Sequence, residues 1–245
     1  MQLSFDLGVS SNLPKVRSRL IAALGPQQAD GRHDPMTQLV KSMISGRTQD
    51  AVSWQAFCRL VDRWPSWREL SEAPSAEIER VIGQVTHAEK KAVYVPAALK
   101  LIEIRTGGFS LDHLADAPVE QAMHWLHGLP GVGWKTAAAV LNFSTLNKRA
   151  LVVDTHLHRV AKRLGLVGRH SDVAEVYAAL MDEAPAAWEA ASFYELHWLF
   201  KRHGQQVCTH AEPNCRLCPL NDLCARVDVD PSRTTGEVVR FAVRP

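Results

Sequence analysis

The chain has 245 residues, of which 46% are hydrophobic and 22% are charged, a composition typical of a soluble globular protein and unlike that of a disordered chain. Its 28 basic and 26 acidic side chains give a formal net charge of +2, so bulk charge alone does not indicate a nucleic-acid partner. The sequence contains no apolar run of roughly 20 residues, the length that a membrane-spanning helix needs.

The location of the protein is expected to be the cytoplasm, or the nucleoid within it in a bacterial cell. The first residues, MQLSFDLGVSSNLPKVR, lack the charged start and apolar stretch of a secretory signal. Four of the five cysteines crowd into 208–224, whereas a disulfide framework would spread them along the chain. We therefore expect a reducing compartment and no membrane partner.

Apolar residues spaced at three and four predict helices along most of the chain. The predicted helices are 15–24, 36–46, 51–63, 75–83, 88–105, 118–127, 134–146, 155–164, 171–183 and 187–203. Turn and cap signals separate them, among them Pro65, Ser71 and Pro74. Strand-like alternation is limited to 151–153 and 237–243. These patterns predict an all-α fold.

Two further expectations concern side chains on these helices. Cys58 lies on the apolar side of 51–63 and is expected to be a small buried residue. The basic cluster Arg159-Lys162-Arg163 indicates a solvated helix face, of the kind that can follow a phosphate backbone.

The segment 125–141 (WLHGLPGVGWKTAAAVL) predicts two helices joined by a tight turn. The first ends near His127 and the second begins near Trp134, where a run of alanines favours helix. Glycine in the turn lets the backbone approach a ligand closely. Free N–H groups at the start of the second helix are suited to a DNA phosphate. The alternative is a helical corner that needs glycine only for its geometry.

Lys135 falls in the first turn of that second helix. Nucleophilic attack by a lysine requires a neutral amine, whereas free lysine titrates at about 10.4. The positive end of a helix and partial burial both disfavour an ammonium, and imine-forming lysines are activated in this way. From position alone, a lysine that neutralises a DNA phosphate explains the residue equally well.

Asp154 follows two valines in LVVDTHLHRV and is expected to stand at the start of a helix. A carboxylate there can simply cap the free backbone N–H groups. It can also stabilise positive charge that develops in a transition state, or help to remove a proton from a lysine. Both interpretations fit the residue taken by itself.

The four clustered cysteines, Cys208, Cys215, Cys218 and Cys224, have the spacing C-x6-C-x2-C-x5-C. Four thiolates in one short loop indicate either a zinc ion or an iron–sulfur cluster. Structural zinc usually uses two close pairs, and this loop has only one C-x2-C, so the spacing favours the cluster without excluding zinc.

Two of these motifs carry a family resemblance. LPGVGWKTA at 129–137 and VDTH at 153–156 resemble the helix-hairpin-helix and the catalytic aspartate motif of the endonuclease III superfamily. The resemblance implies that Lys135 forms a Schiff base, as in the bifunctional members, and that Asp154 is catalytic. The cysteine spacing is that of the [4Fe-4S] loop of endonuclease III relatives, which implies a cluster of structural role.

The resemblance also implies contacts with double-stranded DNA. An enzyme that extrudes a base needs a residue to fill the gap, and Arg47 in SGRTQD (45–50) stands where the family usually has glutamine; Gln49 is a second candidate, and a solvated loop is the alternative. Lys41 stands near the position of the glutamate of adenine-removing relatives, which argues against adenine excision. The hairpin residues expected to contact DNA are Gly128, Leu129, Pro130, Gly131, Val132, Gly133 and Thr136.

The implied architecture is two helical domains with a DNA-binding cleft between them. One domain combines 1–35 with 150–225 and holds the cysteine loop; the other, 36–149, holds the hairpin at about 119–146, and 226–245 is a basic tail. The implied activity is that of a monomeric base-excision glycosylase and abasic-site lyase acting on oxidised or otherwise damaged pyrimidines, with DNA containing damaged bases or abasic sites as its partner.

Two rival functions remain open. A monofunctional glycosylase for mismatched or deaminated bases shares this fold, and Lys135 argues against it. A non-catalytic DNA-binding protein with structural zinc is the other rival, and the occurrence of Asp154 together with Lys135 argues against that.

Overall fold

The computed structural model describes residues 12–233, and this range is all-α, as the sequence predicts. The helices are α1 Leu13–Leu24, α2 Pro35–Ser45, α3 Asp50–Arg63, α4 Trp67–Glu72, α5 Ser75–Ile82, α6 Ala88–Thr106, α7 Val119–His127, α8 Trp134–Phe143, α9 Thr155–Leu164, α10 Val173–Glu183 and α11 Ala190–Gln206. Short 3₁₀ turns occupy Asp112–Leu114, Cys215–Leu217 and Pro231–Arg233. None of the helices in the described range is long and apolar enough to cross a membrane.

The strand-like pattern at 151–153 does not produce a strand. These residues are buried and irregular, and within 12–233 the only bridge between extended backbones joins His33 to Ser144. Because no second strand lies beside them, the apolar residues serve as a buried link that leads into α9. The pattern at 237–243, like the end of the basic tail with Arg240 and Arg244, lies outside the described residues.

Helix α4 is absent from the predicted helices. Pro65, Ser71 and Pro74 favour a turn in this region, but a capping box outweighs them: Glu69 N donates to Ser66 Oγ at 3.2 Å, and Ser66 N donates to the Glu69 carboxylate at 3.1 Å. This S-x-x-E signature is visible in the sequence and was the signal for a helix start.

Helix α3 shows why the prediction of a buried Cys58 is wrong. The helix buries Ser53, Ala56, Phe57 and Leu60, a stripe with the spacing of three and four that one helix face requires. Cys58 is one residue away from this stripe, and its side chain is exposed.

The chain divides into two compact units. The first, called here the inserted unit, comprises Ala29–Val152 and Glu189–Ala191; the second, the terminal unit, comprises the described residues of Met1–Gln28, Val153–Trp188 and Ser192–Pro245. Each has its own apolar core. Fully buried side chains of the inserted unit include Leu39, Leu99 and Val140, and those of the terminal unit include Leu20, Phe193 and Phe200.

Contacts between residues that are distant in sequence close each unit. In the inserted unit, Thr145 N donates to the His33 carbonyl at 2.9 Å beside the bridge to Ser144. In the terminal unit, Leu13 N, at the start of α1, donates to the Glu183 carboxylate at the end of α10 at 3.0 Å. The site residues predicted from the sequence are therefore carried by two separately packed units.

Candidate functional site

Two buried apolar side chains anchor the turn between α7 and α8. Leu129 and Val132 are buried, and Val132 N donates to the Leu129 carbonyl at 3.1 Å. Gly131 is exposed with φ 74°, in the left-handed region that glycine adopts without strain. A Cβ atom at Gly131 would lie 2.7 Å from Cβ of Tyr94 on α6. The backbone of Gly131 is therefore exposed, whereas the side chains of Leu129 and Val132 are fixed in the core.

The start of α8 has the features of an anion site. Gly133 occupies the N-cap position, and no side chain of a described residue caps the helix there. Backbone N–H groups in such a position can bind an anion, and the helix dipole favours negative charge. Trp134, at the first helical position, packs its indole against the rings of His124 and His127, at 5.4 and 5.3 Å between centroids.

Lys135 is half-buried in the first turn of α8, where the sequence places it. Burial, and to a smaller extent electrostatic repulsion from Lys135, lowers the pKa of Lys91 on α6 to about 8. Lys91 and Lys135 therefore carry like charges that are close enough to repel each other.

The loop between α2 and α3 exposes both candidate gap-filling residues, Arg47 and Gln49. Arg47 has φ 58°, in the left-handed region that side chains other than glycine rarely adopt. Thr86 Oγ1 donates to the Arg47 carbonyl at 2.9 Å, so a residue from a distant loop supports this conformation. Gln49 precedes α3, and its carbonyl accepts from Ser53 N at 3.0 Å.

Asp154 caps α9 in the terminal unit. Its Oδ1 accepts from His156 N at 2.9 Å and from Leu157 N at 2.8 Å, and the residue is 9% exposed. The capping interpretation of this aspartate is thus correct as far as local structure is concerned. Both of these bonds end on Oδ1 and fix the orientation of the carboxylate.

The basic cluster on α9 is not a solvated face, and that prediction is wrong for Arg159 and Arg163. Arg159 donates to the Gly204 carbonyl at 2.7 Å and, through Nε, to the Cys208 carbonyl at 3.2 Å. Arg163 is buried, and it donates to the Thr209 and His210 carbonyls at 2.5 and 2.9 Å. Both guanidinium groups satisfy loop carbonyls, a role that composition alone does not indicate.

All four clustered cysteines are free thiols that line one cavity at the end of α9 and α11. Three nitrogen atoms donate hydrogen bonds to their sulfur atoms, each at an N–S distance of 3.4 Å: Arg163 Nη1 to Cys208, Leu220 N to Cys218 and Arg226 N to Cys224. Such donors stabilise negative charge on thiolate ligands.

Burial raises the pKa of Cys218 to about 12, so this sulfur holds a proton unless a cation replaces it. Within 12–233, no three His, Cys, Asp or Glu side chains stand close enough together to hold a single metal ion. The donor set and the polar hydrogens around it nevertheless suit an iron–sulfur cluster, which is larger than one ion.

The predicted site residues fall into two groups. The hairpin, Lys135 and the loop of Arg47 belong to the inserted unit, whereas Asp154 and the cysteine loop belong to the terminal unit. Sequence reasoning missed Lys91, Arg159 and Arg163. Each acts through main-chain carbonyls far away in sequence, and no local pattern signals such contacts.

Comparison with known proteins identifies the family. A family model described as "HhH-GPD superfamily base excision DNA repair protein" matches residues 40–186, which include the hairpin, Lys135 and Asp154. The chain therefore belongs to the HhH-GPD superfamily of base excision DNA repair proteins.

Individual relatives agree with this assignment. The chain is similar to endonuclease III of Synechocystis sp., with 30% identity over 78% of this chain and 80% of that protein. It is also similar to endonuclease III-like protein 1 of Gallus gallus, with 30% identity over 76% of this chain and 62% of that protein. The chain spans less than two thirds of that protein and about half to three fifths of several relatives from Arabidopsis thaliana.

The fold is that of solved endonuclease III structures. A trapped covalent intermediate of endonuclease III with DNA superposes with a TM-score of 0.75, covering 89% of this chain and 96% of the other, at 24% identity.

Proposed function

We propose that this protein is a base-excision DNA glycosylase with abasic-site lyase activity, acting on oxidised or otherwise damaged pyrimidines in duplex DNA. The observation that carries the proposal is the placement of Lys135: half-buried, in the first turn of α8, directly after the glycine turn of the family's hairpin. The names of the endonuclease III relatives support it, because these proteins align with most of the chain.

In the proposed reaction, the neutral amine of Lys135 adds to C1′ while the glycosidic C–N bond breaks, and the departing base takes up a proton. Opening of the sugar ring gives a Schiff base between Lys135 and C1′. Loss of a proton from C2′ then expels the 3′ phosphate by β-elimination, and water hydrolyses the imine to release Lys135. The half-buried position of Lys135 at the positive end of the α8 dipole favours the neutral amine that the first step needs.

Asp154 has the proposed role of stabilising the positive charge that develops on the sugar. Its two bonds to the start of α9 fix the carboxylate in one orientation, and a buried, oriented carboxylate acts more strongly on a nearby charge than a solvated one does. The glycine turn at 128–133 with Thr136 is proposed to bind a DNA phosphate, and Arg47, with Gln49 beside it, to fill the gap left by the extruded base.

A [4Fe-4S] cluster is the proposed cofactor of the cysteine loop, with Cys208, Cys215, Cys218 and Cys224 as its ligands. The cavity that these thiols share and the polar hydrogens at three of the sulfur atoms support this choice. These four thiolates would hold the cluster, which would crosslink the loop and offset part of their negative charge. Arg159 and Arg163 then hold the loop against α9 from outside the ligand set.

The test is borohydride trapping on duplexes that contain an abasic site or thymine glycol. We expect a covalent adduct on both duplexes that disappears in Lys135→Ala and persists in Lys100→Ala, whose lysine is exposed on α6. An adduct on the abasic duplex alone would keep the lyase activity and change the lesion. Base release without any adduct would support the monofunctional rival, and DNA binding without either product would support the non-catalytic one.

A further inference from the structure

Lys91 makes an unusual set of hydrogen bonds for a lysine on a helix of mostly exposed charges. Its Nζ donates to the Ile44 carbonyl at 2.6 Å, to the Gly46 carbonyl at 2.8 Å and to Thr48 Oγ1 at 3.3 Å. An ammonium has three donors and no acceptor, so these three bonds use all of its hydrogen-bonding capacity. Lys91 is thus held entirely by the end of α2 and the loop that follows.

Two of the three partners of Lys91 are carbonyls at the C-terminal end of α2. The last carbonyls of a helix have no partner within the helix, and the negative end of its dipole favours a cation. The Ile44 carbonyl belongs to the last turn of α2, and the Gly46 carbonyl follows its end. A cation at this place stabilises the helix end and fixes the direction in which the chain leaves it.

The loop that Lys91 holds contains Arg47, and a second set of bonds supports it from the same side. Thr86 N donates to Thr48 Oγ1 at 3.0 Å, and Thr86 Oγ1 donates to the Arg47 carbonyl at 2.9 Å. The left-handed backbone of Arg47, with φ 58°, is unfavourable for a residue with a Cβ atom and persists only where surrounding contacts impose it. Lys91 on α6 and Thr86 in the loop before α6 provide these contacts.

We infer that Lys91 is a positioning residue: its ammonium fixes the loop 45–50 in the conformation that directs Arg47 toward the DNA, without touching the substrate itself. The inference rests on the proposed function, because it concerns the step in which a side chain replaces the extruded nucleotide. It extends the proposed function because it assigns control of that step to Lys91, which is more than forty residues from this loop in sequence.

The experiment uses the whole protein and a duplex with 2-aminopurine opposite a tetrahydrofuran abasic analogue. The fluorescence of 2-aminopurine changes when a side chain enters the stack beside it. The probe therefore reports insertion without requiring a particular lesion. Borohydride trapping on a natural abasic site reports the amine of Lys135 separately, since an abasic sugar has no base pair to break. The variants are Lys91→Met, which keeps length and removes charge, Lys91→Arg, which keeps charge, and Lys90→Met, whose lysine is exposed.

We expect Lys91→Met to lose most of the fluorescence change and to excise thymine glycol more slowly by roughly 100-fold, the effect of a small misplacement of a positioning group. Adduct formation on the abasic site should stay within about threefold of the wild-type level, because the proposed defect precedes the chemistry. Lys91→Arg should recover part of the fluorescence change, and Lys90→Met should behave as wild type. Circular dichroism verifies that each variant is folded.

Two results would overturn the inference while leaving the proposed function intact. One is an active wild-type protein with Lys91→Met equal to Lys90→Met in the fluorescence assay; the other is an equal loss of insertion and adduct in a folded Lys91→Met, which would place Lys91 at the chemical step. A wild-type protein that gives neither excision nor adduct would overturn the proposed function, and the inference with it.

Discussion

The hairpin and the cysteine loop keep their shapes by different means. The turn 128–133 depends on residues within a few positions of one another: two buried apolar side chains and a glycine that the backbone conformation requires. The cysteine loop depends on Arg159 and Arg163, which reach it from α9 across more than forty residues of sequence. A local motif can be found in a single sequence, whereas a loop held from outside cannot be understood without the fold.

The largest effect is expected at Asp154, which combines a local role with a proposed chemical one. Asn caps a helix about as well as Asp, so Asp154→Asn should unfold like the wild type but release base more slowly by roughly 100- to 1000-fold, the loss typical of one electrostatic group. Single-turnover excision and urea unfolding measure the two quantities. Asp172→Asn, at the cap of α10, is the matched control and should leave excision unchanged. Equal rates of excision by Asp154→Asn and the wild type would show that Asp154 only caps α9 and has no chemical role.

The next effect tests the local construction of the hairpin. Gly131→Ala places a Cβ atom 2.7 Å from Tyr94 and on a backbone with φ 74°. Strain and overpacking together should lower the free energy of unfolding by about 2–4 kcal/mol, measured by urea denaturation.

The matched control is Gly133→Ala, where a Cβ atom would meet open space and the backbone has φ −90°. If Gly131→Ala is no less stable than Gly133→Ala, the turn does not depend on glycine in the way described.

A smaller effect tests the support of the cysteine loop from α9. Arg163→Met leaves the Thr209 and His210 carbonyls without their guanidinium donor, which should cost about 1–3 kcal/mol in the free energy of unfolding. It should also make the loop more accessible, so that a thiol reagent modifies its four cysteines faster after a chelator has removed any iron. Lys162→Met, on the same helix, is the comparison variant. Unchanged thiol modification rates in Arg163→Met would show that the loop keeps its shape without this support.

The smallest effect is a pH dependence of stability caused by Lys91. Its pKa is lowered from 10.5 to about 8. Between these values the unfolded chain binds a proton that the folded protein does not, so the free energy of unfolding rises with pH in this window. Lys91→Met should remove this rise, measured by urea unfolding at about pH 7.5 and 9.5. A rise of the same size in wild type and variant would contradict the lowered pKa of Lys91.

Apolar periodicity was sufficient to predict the helical class and most helix positions, because each helix buries one face in a core. The hairpin and the position of Lys135 followed from a dense local motif. Periodicity did not reveal α4, whose start depends on one capping box, or the exposure of Cys58, which needs the orientation of α3 to within one residue. Nor did it reveal Lys91 and Arg163, whose partners are main-chain carbonyls. Every residue has such a carbonyl, so the sequence contains no signal of which ones are bound.

The nested arrangement of the two units has a consequence for synthesis on the ribosome. The inserted unit is continuous from Ala29 to Val152 except for its short segment at Glu189–Ala191. The hydrogen bond between Leu13, at the start of α1, and Glu183, in contrast, can form only after another 170 residues have been synthesised. At typical translation speeds this delay is roughly 10 to 30 seconds. During that time the apolar face of α1, with Leu13, Val16 and Leu20, has no core to enter, because the rest of the terminal unit has not yet been synthesised.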